Sequence, residues 1–293
     1  MDKITTIAID LSKRDFQVVT EGRNGAEISQ PRFRSREAFA AYIETLTPPL
    51  RVGMESGPGA QAWARMLQAR GLEVRVLPAQ RVAEHRSGAK NDRNDARAIL
   101  RALRDRSIHP VPIKTPEQLA MQALHRARSG WVGRRTALSN QMRGLLLEHA
   151  VAIAKGDAAL ERALAEVLGT TRVAIPDPLR EILAMLEAEW RQQGQRIEAV
   201  TGELAQLARE DPVARLLDTI DGIGAITATA LACKGIDPDR YRNGRLFAAS
   251  YGVVPEQHST AGKTRLGRMS RRGDGYIRSL VIQGAHAALR VVR

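Results

Sequence analysis

Cysteine, aromatic residues, lysine and long apolar runs are all scarce in this chain, and each scarcity removes a class of protein. One of the 293 residues is cysteine, Cys233. A single thiol excludes an intrachain disulfide framework and any zinc finger built on cysteine, and it fits a reducing cytoplasm. The histidines (His85, His109, His125, His149, His258 and His286) never fall into a His-Glu-x-x-His or similar cluster, so zinc chemistry is not expected. No apolar run approaches the ~18 residues of a membrane span, so no membrane association is expected. The N-terminus reads directly into a strand, without the pattern of a signal peptide. Aromatic residues make up 4%, too few for recognition by many stacked bases. Gly222-Ile223-Gly224 lacks the third glycine and the preceding strand of a dinucleotide site.

What the chain has is positive charge. Lys and Arg total 45 against 32 Asp and Glu, a net charge of +13, and only seven of the cations are lysine. The length suits about two domains with a sizeable core. The 43% apolar fraction is that of a globular chain. A sequence pI near 10.7 points to a polyanionic partner, although a GC-rich genome would also inflate Arg and Ala together. Placement separates the two readings. Residues 157–218 carry seven basic and twelve acidic side chains, and residues 258–293 carry eight basic and one acidic. Codon bias does not segregate charge in this way. The acidic stretch is expected to face protein or solvent, and the basic one phosphate.

Residues 4–10, 16–20, 26–33, 50–55 and 73–77 read as strands, and 36–46, 60–70 and 92–106 as helices. The order β-β-β-α-β-α-β is the opening of a ribonuclease-H-like α/β domain. A basic helical stretch follows at 117–150, with Arg126, Arg128, Arg134, Arg135 and Arg143. Residues 177–209 carry a heptad seam. Leu183, Trp190, Ile197 and Leu204 share one position, and Leu179, Leu186, Val200 and Leu207 the other, with Gln193 the polar exception. The seam predicts a coiled coil or long helical hairpin, with an ordinary amphipathic helix packed in the protein as the alternative.

Four carboxylates stand out. Asp10 ends an apolar strand on which Ala8 shares its face, and Glu55 ends another on which Gly53 shares its face. The small residues are expected to leave space beside each carboxylate. If the strands pair, both acids meet at one sheet face. Asp92 and Asp95 are spaced i, i+3 at a helix start and point to one side. Hard oxygen donors of this kind suit Mg²⁺ or Mn²⁺, and two such ions serve phosphoryl transfer. For Asp92 and Asp95 the alternative is helix capping, an Asp at the N-cap with an acid three residues on. For Asp10 and Glu55 it is a polar strand end beside a turn.

The C-terminal region carries a second constellation. Residues 216–231 look like a helix-hairpin-helix, whose Gly222 and Gly224 would let backbone N–H groups approach a phosphate. Asp221, where proline is usual, weakens that reading, so a purely structural hairpin stays open. Downstream, Ser259 and Thr260 lie in a glycine-rich loop with Gly262, amid Lys263, Arg265, Arg268, Arg271 and Arg272. These cations suit a scissile phosphate beside an ionising hydroxyl. A serine in such a loop is also an ordinary phosphate donor or turn residue.

Together these residues resemble the insertion-sequence-110 family of transposases, the DEDD transposases related to the Piv/MooV DNA invertases. The resemblance rests on Ile9-Asp10, Met54-Glu55-Ser56-Gly57, Asn91-Asp92-Arg93-Asn94-Asp95, Asp221-Gly-Ile-Gly224, Tyr251-Gly-Val-Val-Pro255, Gly267-Arg-Met-Ser-Arg-Arg-Gly273 and Tyr276-Ile-Arg278, and covers nearly the whole chain. It implies an α/β plus α architecture. A ribonuclease-H-like (RuvC-like) metal domain would occupy 1–110, a helical linker and coiled-coil arm 111–212, and a mostly helical C-terminal transposase domain with the helix-hairpin-helix and serine loop 213–293.

The resemblance further implies a bacterial, nucleoid-associated recombinase that cuts and rejoins DNA. It would use Mg²⁺ (or Mn²⁺) on Asp10, Glu55, Asp92 and Asp95 and a serine nucleophile. It would work as a dimer or tetramer through the coiled coil, guided by a structured non-coding RNA. The nucleic-acid contacts would come from Gly222, Gly224, Lys263, Arg265, Arg268, Arg271, Arg272 and Arg278, and from Arg126, Arg134 and Arg135 on the basic helix. The family serine lies about five residues after the proline and beside glycine. Counting from Pro255 reaches Thr260, followed by Ala261, whereas Ser259 is the only serine in the window, so Ser259 is preferred and Thr260 stays a rival. Relatives run on past the point where this chain stops, in a helix-like stretch at 277–293. A truncated, inactive nucleic-acid binder is therefore one alternative, and a hydrolytic junction resolvase using the acids alone is another.

Overall fold

Apolar alternation in the first strand sets the sheet. β1 (Ile4–Leu11) turns back into β2 (Phe16–Gly22), and the two pair antiparallel with Ile9 opposite Val18. β1 also pairs in parallel with β5 (Arg51–Glu55), with Ile9 opposite Met54, and β5 pairs in parallel with β6 (Glu73–Leu77). Parallel neighbours need a crossover. α1 (Arg36–Glu44) precedes β5, and α2 (Ala60–Ala69) joins β5 to β6. The computed structural model describes residues 3–88, 91–170, 173–235, 237–260 and 263–291. It divides the chain into two units, Met1–Thr115 and Pro116–Arg293.

Residues 26–33 do not form the single strand expected. They make β3 (Glu27–Ser29) and β4 (Arg32–Phe33), both paired to β2, which gives the order β3-β2-β1-β5-β6 with β4 beside β2. Pro31 has no N–H to offer a ladder. Its carbonyl accepts from Val18 N at 2.9 Å, and the buried Gln17 amide donates to the Gln30 and Pro31 carbonyls at 3.3 Å each.

Both sheet faces are covered. Ile7, Ile9, Phe16, Val52 and Met54 pack with Phe39 and Ile43 of α1 and Trp63 and Leu67 of α2. Phe16 stacks on Phe39 with ring centroids 4.3 Å apart. Burial of each such side chain stabilises the fold by about 1.5–3 kcal/mol. On the other face Ala8, Val19 and Leu77 meet α4 (Asp92–Arg104) through Ala96, Ile99 and Leu103. Between β6 and α4 in the chain comes a short helix that the sequence pattern had not suggested, α3 (Ala79–Glu84).

The second unit opens on α5 (Pro116–Leu147), α6 (Asp157–Gly169) and α7 (Asp177–Glu210). α5 and α7 run antiparallel: Trp190 Nε1 donates to Ser139 Oγ at 2.8 Å, and Arg128 Nε to Thr201 Oγ1 at 2.9 Å. The heptad seam of α7 is covered within the chain. Leu183 and Trp190 pack with Leu138, Met142 and Leu146 of α5 and with Leu160 and Leu164 of α6, while Val200 and Leu204 pack with Met121. The seam thus builds an intrachain helical hairpin.

α8 (Pro212–Asp218) and α9 (Ala225–Ala232) form the expected helix-hairpin-helix. α10 (Gly244–Ser250) leads to a two-stranded hairpin of β7 (Pro255–Gln257) and β8 (Leu266–Met269), and α11 (Gly275–Val291) follows. That hairpin stands where the sequence suggested only a glycine-rich loop. Ala230, Leu231 and Ile277 are buried at the core of this region. Among the described residues no helix is long and apolar enough to cross a membrane.

Candidate active site

The parallel β1–β5 register brings Asp10 and Glu55 side by side, one residue beyond the Ile9–Met54 pair. The space expected beside them is not empty. A Cβ on Gly53 would lie 2.4 Å from Leu103 Cδ1, so Gly53 admits α4 rather than leaving room by the carboxylate. Asp92 and Asp95 lie at the other end of α4, near enough to Asp10 to raise its pKa. Neither aspartate is the N-cap. Asn91 caps the helix, its side chain accepting from Asn94 N at 2.8 Å.

The charges are felt across the cluster. Burial first, then Asp95, Asp92 and Glu55, push the Asp10 carboxyl up to about 6, while Arg86 opposes the shift. Asp92 pairs with Arg32 at 3.1 Å and Asp95 with Arg86 at 2.6 Å. The two arginines hold the two helix acids individually. Among the described residues no group of three or more His, Cys, Asp or Glu side chains is arranged as a metal-ligand cluster. The donor chemistry nonetheless fits a hard divalent cation: all four groups are carboxylates, and the other three repel the half-buried Asp10.

In the helix-hairpin-helix Gly222 has φ +83°, and a Cβ there would lie 2.5 Å from the Gly284 carbonyl oxygen. Gly222 therefore packs closely against the backbone of α11, where a side chain has no room. Gly224 is the N-cap of α9 and has open space beside it.

The β7–β8 hairpin presents the hydroxyl pair. Ser259 is exposed, and its Oγ accepts from Gln257 Nε2 at 2.8 Å and from Arg265 N at 3.3 Å. Thr260 is exposed and is bridged through its backbone to Lys263. Ala261 and Gly262 lie outside the described residues. Arg265, Arg268, Arg271 and Arg272 are exposed around the hairpin. Two glycines let its base cross the chain closely: a Cβ on Gly252 would meet Arg272 O at 2.1 Å, and one on Gly273 would meet Ser250 O at 2.1 Å. A 360 Å³ cavity beside the hairpin is lined in part by Gln257, His258 and Arg272.

Two other arginines singled out in the sequence, Arg278 and Arg135, are occupied. Arg278 Nη1 donates to Tyr251 O at 3.2 Å and Arg272 O at 3.1 Å, which ties the loop to α11. Arg135 lies 4.0 Å over the Trp190 ring and pairs with Asp157, inside the helical hairpin. Arg126 and Arg134 are exposed on α5. Arg126 borders a 280 Å³ cavity with Gln122, Ser129, Tyr276 and the Lys234–Asp274 ion pair. Sequence reasoning missed Arg32, Arg86 and Gln257, none of which sits in a motif.

Known proteins align with both units. A transposase family profile of the DEDD type of IS110 matches residues 7–151, and a second, described as the transposase IS116/IS110/IS902 family, matches residues 214–293. A probable family 20 transposase of Pseudomonas aeruginosa is 38% identical over 288 residues, covering 98% of this chain and 85% of the relative. The transposase for insertion sequence element IS1328 of Yersinia enterocolitica is 38% identical over 285 residues, covering 97% and 84%. The transposase for insertion sequence element IS1111A of Coxiella burnetii is 32% identical over 296 residues, covering 100% and 80%. The chain carrying this acid cluster and this basic hairpin belongs to the IS110 family of transposases.

Proposed function

We propose that this protein is the transposase of an insertion sequence, cutting and rejoining DNA with an acidic site in the first unit and the Ser259 hydroxyl in the second. The observation that carries the reading is the repulsion that Asp95, Asp92 and Glu55, on α4 and β5, exert on the half-buried Asp10 carboxyl of β1, which with burial pushes it up to about 6. The first unit is read as RuvC-like on this basis. Asp10, Glu55, Asp92 and Asp95 would hold Mg²⁺ or Mn²⁺, which supplies Lewis-acid stabilisation of phosphoryl oxygens when bound. Arg32 and Arg86 hold the helix acids otherwise and must give them up.

On the serine side, Oγ attacks a DNA phosphorus and stores the bond as a phosphoester for rejoining. Arg268, Arg271 and Arg272 neutralise the phosphate. Guidance by a non-coding RNA and work as a dimer or tetramer belong to this reading through the family resemblance, with exposed Arg126 and Arg134 available on α5.

Purified protein with MgCl₂, a supercoiled plasmid carrying the gene and its flanking DNA, and RNA transcribed from that flank provide the test. A detergent-resistant protein–DNA adduct is expected. It should persist in Thr260→Ala and vanish in Ser259→Ala. Cleaved DNA with no adduct, or an adduct in Ser259→Ala, would overturn the serine reading.

A further inference from the structure

The Ser259 hydroxyl is held at the tip of its hairpin. β7 ends at Gln257, whose side-chain amide donates forward from Nε2 to Ser259 Oγ at 2.8 Å. From the returning strand the Arg265 main-chain N–H donates to the same oxygen at 3.3 Å. The Arg265 carbonyl accepts from His258 N at 2.8 Å, which fixes both chains around Ser259. Thr260 is treated differently. Its carbonyl accepts from Lys263 N at 3.0 Å, and its hydroxyl has no hydrogen-bond partner among the described residues.

A serine hydroxyl has two acceptor lone pairs and one O–H. With Gln257 and Arg265 donating to the two lone pairs, the O–H is the direction left free. When the proton leaves, the new lone pair occupies that direction, and two N–H dipoles stand behind the developing charge. Hydrogen bonds to the charged form favour it, and preorganised donors cost no reorganisation during reaction. Glutamine suits the place: it reaches two residues along the strand, donates, and adds no negative charge beside DNA phosphate.

We propose that Gln257 is a positioning residue for the Ser259 nucleophile, aiming its hydroxyl and favouring its ionised form, with the Arg265 main-chain N–H as second donor. The inference rests on the reading of Ser259 as nucleophile given above. In the step it serves, the Oγ–P bond forms and one P–O bond to a deoxyribose breaks. The serine proton passes through solvent to the departing sugar oxygen. Gln257 itself neither gains nor loses a proton.

Two measurements test this. The first is the rate of adduct formation against pH, with the same plasmid, RNA and MgCl₂, for the wild type and Gln257→Ala. The variant should be roughly 10-fold slower at pH 7, less than the loss of a buried oxyanion donor because this site is exposed. A serine hydroxyl ionises far above this range in either protein, so the deficit should stay constant from pH 7 to pH 9, and a wild-type rate overturns the inference. A merely structural role is excluded by the thiol measurement, whose deficit should close toward pH 10 as the thiol ionises in both proteins. The second uses Ser259→Cys and needs no DNA. Iodoacetamide labelling of the thiol, located by peptide mass, should fall roughly 3-fold at pH 7 when Gln257→Ala is added, because the thiolate loses a donor. Buried Cys233 is separated by its own peptide. Unchanged labelling overturns the donation whatever the adduct assay shows. An adduct surviving in Ser259→Ala overturns the serine reading instead, so the two failures are distinguishable.

Discussion

Asp10 sits in surroundings at odds with its charge, and this has a thermodynamic signature. Its folded-state pKa is raised from 3.8 to about 6 by burial and by Asp95, Asp92 and Glu55. Between those values the folded chain binds a proton that the unfolded chain does not. The favourable contribution is therefore fully present below pH 4 and lost as pH rises through 6. Asp10→Asn removes the penalty. It should stabilise the protein by about 1–2 kcal/mol at pH 8, after allowance for partial solvent screening, and by little at pH 4, as read from thermal melts. The same variant should abolish strand exchange. MnCl₂ should raise the melting temperature of the wild type at pH 8 and leave Asp10→Asn unmoved. At this scale the sequence was a good guide to which acids matter, because strand alternation and helical spacing are local. It was silent on Arg32 and Arg86, which reach the acids from β4 and from beyond α3. It preferred Ser259 to Thr260 only as the one serine in the window, since the surroundings of adjacent hydroxyls are set by the folded hairpin.

Elements meet through glycine at two places with opposite lessons. Gly53 lets α4 lie close on β5, and Gly53→Val should cost about 1–3 kcal/mol in urea denaturation while displacing the helix that carries Asp92 and Asp95. Gly222 and Gly284 meet backbone to backbone, and Gly222 also has φ +83°. Gly222→Ala should therefore be the more damaging change, because neither a rotamer shift nor a left-handed alanine relieves the contact. The α7 seam offers a stabilising change. Gln193 is 4% exposed and its Oε1 has no hydrogen-bond partner among the described residues. Gln193→Leu should gain about 1 kcal/mol of stability. The long helices and the buried parallel strands were legible from periodicity alone. The short α3 and the β7–β8 hairpin were not, because three to six residues cannot show a period and tertiary contacts decide their form.

Over the whole molecule, the charge surplus separates into cations that hold structure and cations that face solvent. Arg135 lies against Trp190 and Arg278 grips two carbonyls, so alanine at either should lower the melting temperature with little change in the salt dependence of DNA binding. Arg268 and Arg271 are exposed, and their joint replacement by alanine should flatten the slope of log K against log salt by up to about 1.8 at unchanged stability. Composition could count these arginines but not sort them, since a guanidinium's role depends on what folds around it. By itself the sequence determined the alternation of strands and helices, the carboxylates at their ends, the heptad seam and the charge segregation, because each is written in spacing along the chain. Only the tertiary structure decided that the seam closes on α5 and α6, that Asn91 rather than an aspartate caps α4, and that Gly222 packs against Gly284. It also placed Gln257 against Ser259. Those outcomes depend on which surfaces compete for the same space, and close packing settles that competition only when the whole chain is folded.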